Sequence, residues 1–204
     1  MAKREERELS TVRPDATALK ALAHPARLRM LGMLRTDGPA TASQLAERMG
    51  LNSGATSYHL RQLEQYGFVK EDSARGNKRD RWWRAAHQST RTRPGDYDDL
   101  DDRAAYAAYR RTVVGQHVAT MQSAAAEFDD LPREWAEAST ESDWSIWLTP
   151  EQSREVVRKL GEVLEEAMDL EAPEGERPAD AEIFSLLLHA FPAPGRVAQP
   201  GDES

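Results

Sequence analysis

Apolar positions in the first third of the chain fall at helical spacing and are broken by Asp, Gly and Pro. Ala18, Leu19 and Leu22 make one short stripe, and Asp15 stands where its N-cap is needed. His24-Pro25 interrupts the stripe. Pro25 lacks a backbone donor but suits the first position of a new helix. That helix runs to about Thr36. Leu28, Met30, Leu31, Met33 and Leu34 cover nearly every face, which predicts burial in a core or a dimer interface. Asp37-Gly38-Pro39 ends it. A short helix with Leu45, Ala46 and Met49 comes next, capped by Thr41 or Ser43 and closed by Gly50. Asn52 or Ser53 opens a further helix, 53–66, which Gly67 closes. Two short helices with so brief a joint have the spacing of a helix-turn-helix.

The rhythm then changes. Phe68-Val69-Lys70-Glu71 and Arg81-Trp82-Trp83-Arg84 are rich in strand-forming residues and flank the tip Ala74-Arg75-Gly76-Asn77-Lys78. This predicts a hairpin with a basic tip, a wing. Trp82 and Trp83 fall on opposite faces of its second strand, so at least one should be core. Residues 88–97 read as a linker. From about Asp98 to Phe128, Tyr106, Tyr109, Val113, His117, Met121, Ala124 and Phe128 recur every three or four residues, predicting a long helix. Pro132 and Trp135 mark a turn and a short helix. Trp144–Leu148 reads as a strand, and Thr149-Pro150 starts a helix to about Asp169. Ile183–Phe191 reads as a second strand that pairs with 144–148. Residues 1–13 are charged and aperiodic, which predicts a flexible arm, and the stretch after Pro192 predicts a flexible tail.

The pattern therefore predicts a mostly α fold with small β elements. It divides into an arm (1–13), a winged helix-turn-helix (14–93), a helical or α+β dimerisation or effector region (94–192) and a tail (193–204). The length of 204 residues suits one or two domains. No cysteine is present, which excludes disulfides, thiolate metal sites and cysteine catalysis. The first residues have no apolar run behind their charges, and no stretch is long and apolar enough to span a bilayer, so a cytoplasmic location is expected.

Net charge first argues against a nucleic-acid partner, since 27 basic and 35 acidic residues give −8. The average hides a split. Up to Arg93 there are 18 Lys and Arg against 10 Asp and Glu, a balance of +8; from Pro94 onward there are 9 against 25, a balance of −16. The basic half is the half with the helix-turn-helix. On helix 53–66, Ala55, His59, Leu60 and Leu63 repeat at core spacing. The other face then carries Ser53, Gly54, Ser57, Tyr58, Arg61 and Gln62. Small residues at a helix start allow close approach to DNA, and free N–H groups of the first turn favour a phosphate. The longer side chains can reach base edges or phosphates in the major groove. Arg75, Lys78, Arg79 and Arg81 suit the DNA backbone or an adjacent minor groove. His59 reads as a packed or capping histidine, and His24 as structural.

Three segments carry a resemblance: LKALAHPARLRMLGML at 19–34, ASQLAERMGLNSGATSYHLRQLEQYGFVK at 42–70 and RGNKRDRWWR at 75–84. Together, over about 17–86, they resemble the ArsR family of winged helix-turn-helix transcription regulators. The resemblance implies a winged-helix fold, sequence-specific DNA binding and a homodimer, with the helix after the wing helping to form the dimer. Family members often sense metals. The thiolate kind is excluded here, and the His/carboxylate kind on the helix after the wing finds only His117. No metal and no cofactor are therefore expected, and an organic effector is the remaining class of signal. Trp135, Trp144 and Trp147, with the 156–168 stripe and the 183–191 run, suit either an effector pocket or the core of a small unit. The expected function is a homodimeric repressor on a pseudo-palindromic operator. The alternative is a protein-interaction module whose acidic half docks a partner. No nucleophile–base pair, phosphate loop or metal triad points to an enzyme.

Overall fold

The computed structural model describes residues 10–75, 80–172 and 175–198. They fall into two compact units, one ending at Pro132 and one beginning at Arg133.

In the first unit, Asp15 accepts the Ala18 N–H at 2.7 Å and caps α1 (Ala16–Leu22). Pro25 starts α2 (Pro25–Thr36), and the His24 Nδ1 accepts from the Ala26 N–H at 3.2 Å as its cap. The helix-turn-helix is α3 (Ala42–Met49) with α4 (Ser53–Gln65). The expected hairpin is β3 (Val69–Glu71) with β4 (Trp82–Ala85), antiparallel with Lys70 opposite Arg84. A further strand, β2 (Ala40–Thr41), pairs with the other edge of β4, so the sheet order is β2-β4-β3. Trp83 is the core tryptophan of the pair, at 3% exposure, while Trp82 is half-buried.

The apolar stripes converge as the pattern predicts. Leu22, Met30, Leu31, Leu34, Leu45, Leu60, Leu63 and Phe68 form one buried cluster between the helices and the sheet. The first half of α5 (Leu100–Glu127) lies on α1, where Leu19, Tyr97 and Ala105 make a second cluster.

Two expectations change at the edges of this unit. Residues 88–97 are not a free linker. Arg35 donates from Nε to the His87 carbonyl and from Nη2 to Thr90 Oγ1, each at 2.9 Å. The Tyr97 ring is buried, stacks on Tyr106 at 4.9 Å and donates its O–H to the Pro14 carbonyl at 2.8 Å. Part of the expected arm is also ordered: β1 (Thr11–Val12) runs parallel to β5 (Ser89–Thr90). Residues 1–9 of that arm, and 199–204 of the tail, lie outside the described residues.

The second unit holds α6 (Arg133–Ala138) and α7 (Pro150–Met168). Thr149 caps α7 with a reciprocal box: the Gln152 N–H donates to Thr149 Oγ1 at 3.2 Å and the Thr149 N–H to Gln152 Oε1 at 2.9 Å. Among the described residues, the strands expected over 144–148 and 183–191 do not form, because neither run finds a backbone partner in the single chain. None of the described residues of this unit is buried. No helix of the described residues is long and apolar enough to cross a membrane.

Candidate nucleic-acid interface

The chemistry of helix ends sets the geometry of α3 and α4. Thr41 and Gln44 close a capping box on α3: the Gln44 N–H donates to Thr41 Oγ1 at 3.2 Å and the Thr41 N–H to Gln44 Oε1 at 2.8 Å. Gly50 takes the left-handed conformation at the end of α3, with φ 65°, where a side chain would be strained. Asn52 then caps α4 by accepting the Ala55 N–H at 2.7 Å. Of the two capping residues that the sequence allows for each helix, the fold thus uses Thr41 rather than Ser43 and Asn52 rather than Ser53. Gly54 fits beside the second cap; a Cβ there would stand 3.3 Å from the Asn52 Oδ1.

The inner face of α4 is Thr56, Leu60 and Leu63, all fully buried. Ala55 and His59, expected in that core, are only half-buried. Thr56 takes the place in the core because its hydroxyl donates to the Asn52 carbonyl at 3.1 Å, leaving its methyl to pack. The His59 ring lies against His24, with centroids 4.6 Å apart and planes tilted by 44°. Its Nδ1 is buried and has no hydrogen-bond partner. Burial, then the neighbouring His24 and Arg27, holds the His59 pKa below the ordinary histidine value. Burial and Arg27 do the same to His24. This pair is a packing contact between the start of α2 and the middle of α4.

The outer face carries the expected residues. Ser53, Gly54, Tyr58 and Arg61 are exposed, Tyr58 at 56%, and Ser57 and Gln62 are half-buried. Gln62 Nε2 reaches Gln65 Oε1 only at 3.4 Å and stays available to an outside acceptor. Ser57 and Arg61 also line a shallow depression with Thr41, Ser43, Arg81 and Trp83, at the meeting of α3, α4 and the hairpin. The sequence suggests Ser43 only as a cap. Its place in the depression depends on β2 pairing with β4, and a two-residue strand leaves no periodicity to read.

In the wing, Arg75 is exposed and 3.8 Å from Asp72. Lys78 and Arg79 lie outside the described residues. Arg81 differs from Arg75. Its Nη2 is 2.7 Å from Glu64 on α4, its Nε is 2.8 Å from Glu71 on β3, and its guanidinium stacks 4.3 Å over the Trp83 ring. It therefore ties the hairpin to α4, rather than standing free beside it.

Residues 22–72 match the model of a family described as a helix-turn-helix domain. The chain is 44% identical over 59 residues to the HTH-type transcriptional regulator NmtR of Mycobacterium tuberculosis, covering 29% of this chain and 48% of that protein. It is 39% identical over 64 residues to the HTH-type transcriptional regulator YgaV of Escherichia coli, covering 31% of this chain and 63% of that protein. The chain thus spans about half of the first relative and under two thirds of the second. It is also similar to the solution structure of a homodimeric winged helix-turn-helix DNA-binding domain from Mycobacterium bovis, a possible ArsR-family regulator. That match has 23% identity and a TM-score of 0.32, over 51% of this chain and 77% of that one. With the order α1-α2-β2-α3-α4-β3-β4 and the family match over residues 22–72, the first unit of this chain contains a helix-turn-helix domain followed by a β hairpin in the winged arrangement.

Proposed function

We propose that the chain is a sequence-specific, homodimeric DNA-binding regulator that represses transcription by occupying a promoter. The observation that carries this reading is the outer face of α4. It is polar, begins with small residues, is free of core duties and stands beside a basic hairpin in the half of the chain whose balance is +8. The names of the two relatives, both transcriptional regulators, support it.

Ser53, Gly54, Ser57, Tyr58, Arg61 and Gln62 enter the major groove. Arg75, Lys78 and Arg79 track the backbone beyond it, and Arg81 sets the angle of the hairpin. The second half of α5 leaves Val114, Val118 and Met121 exposed at helical spacing, the stripe by which two copies join. Two copies present two α4 helices to half-sites about 34 Å apart, hence a pseudo-palindromic operator. An organic compound is the class of effector that the donor set leaves open.

Selection of bound fragments from the source genome tests the reading. A shared inverted repeat is expected. Affinity for it should fall about 10³–10⁵-fold between 50 and 200 mM salt if 6–10 phosphates are contacted. Equal binding to all fragments, indifferent to salt, would sink it.

A further inference from the structure

The second unit cannot be a finished domain. None of its described residues is buried, and fifteen of its large apolar side chains stand exposed, Trp144 at 80% and Trp147 at 95%. A chain segment of this size in which no described residue is fully buried lacks the means to offset its conformational entropy. Its exposed Trp and Phe side chains alone amount to roughly 600 Å². That nearly equals the ~800 Å² that each partner contributes to a stable interface. The exposed Leu, Ile and Val of the same unit carry the area well past that threshold.

The kind of surface indicates what covers it. The unit has six basic and seventeen acidic residues, but residues 144–150 and 183–195 contain no Asp, Glu, Lys or Arg. A basic partner would be drawn to the flanks of these runs and gain nothing from the runs themselves. Each run, by contrast, suits the other: both are apolar, rich in strand-forming residues and without a backbone ladder in the single chain. A second copy supplies both complements at once. In a two-fold dimer, run 144–148 of one copy on run 183–191 of the other implies the reciprocal pair.

We infer that the second unit is a half-domain completed by a second copy of this chain, with Trp144–Leu148 of each copy pairing with Ile183–Phe191 of the other. It rests on the homodimer proposed above and adds a second, separate contact to it.

The chain has no cysteine, so single cysteines report cleanly. Ser145 and Ser185 are exposed, one in each run. Full-length S145C, carrying a size tag, is mixed with full-length S185C and treated with a short bismaleimide. The expected product joins one tagged and one untagged chain, forms far less with either variant alone and is lost when Trp147→Asp is added to both. Higher salt should strengthen the product, because it screens two acidic units from each other. Docking of a basic protein would respond in the opposite sense. Three cross-linking results overturn the inference. One is a cross-link confined to single chains of the double variant. Another is equal products from each variant alone. The third is no two-chain product from a chain that light scattering shows to be dimeric. A chain that remains monomeric overturns the homodimer as well, whereas loss of operator preference in a chain that still cross-links overturns only the reading of α4.

Discussion

Thr41 and Thr149 sit at the starts of α3 and α7 and make the same reciprocal box with Gln44 and Gln152, within 0.1 Å of each other in each bond. The two helices then part ways. α3 places Leu45 and Ala46 in a core sealed by α2, α4 and the sheet. α7 has an apolar stripe of similar quality, yet Leu160 and Val163 remain open to solvent. Equal local chemistry thus yields equal helices, while tertiary structure depends on the surfaces that face them. The first unit holds all the buried residues of the described chain; the second holds its elements ready and unclosed.

The contrast can be broken most directly at Leu60. Leu60→Ala opens a cavity in a fully packed site and should cost about 2–5 kcal/mol in denaturant unfolding of the first unit. Leu160→Ala should leave that transition unmoved. A comparable loss from both would mean that the second unit has a core after all. Next comes Arg61→Ala on the open face of α4. It should cost about 1–3 kcal/mol in operator binding and relax preference at one base position, whereas Arg75→Ala should weaken all sequences alike and lower the salt slope by about 1. Titrations on matched and mismatched operators separate the two. The paired caps give a finer comparison. Thr41→Ala should cost about 1 kcal/mol of global stability. Thr149→Ala should instead speed amide exchange in the first turn of α7 and leave the global midpoint alone.

The smallest effect expected is that of pH on the His24–His59 contact. Both groups titrate below the ordinary histidine value in the folded chain, so the unfolded chain takes up protons first as pH falls. Stability should be full above about pH 7, decline through the unfolded histidine value near about 6.5 and level off below the folded values. A proton on the His24 Nδ1 also removes the acceptor that caps α2. Thermal midpoints across that range, compared with His59→Gln, check the sign; a rise in stability on acidification would refute it.

The winged helix is largely legible in the sequence because its signals are local. Asp15, Pro25, Gly50 and Gly67 act within one turn of where they stand, and the helices begin or end at them. The six candidate residues on α4 do face outward, because Leu60 and Leu63 anchor the opposite side. Features hidden from a sequence reading depend on partners far along the chain. β2 exists only because Ala40 and Thr41 meet Trp83 and Trp82. Residues 88–97 look like a linker in composition, but an arginine from α2, the pairing of β5 with β1 and the Tyr97 ring fasten them. The wing arginines look alike in sequence, but Glu64 lies seventeen positions before Arg81, and only the fold shows that they meet. In 144–148 and 183–191 the residues have strand-forming character, but strand pairing needs an opposite edge, and the described residues form none there.

The clamp of Arg81 on Glu64, Glu71 and Trp83 has a thermodynamic consequence. Each long side chain immobilised when two surfaces meet forfeits about 0.5–1.5 kcal/mol of rotamer freedom. Here much of that freedom is given up during folding, so under the proposed function hairpin and α4 would meet a duplex as one preorganised body. Its influence should therefore show as entropy in titration calorimetry: Arg81→Ala should raise the entropy cost of operator binding, with affinity lost chiefly through the renewed looseness of the wing.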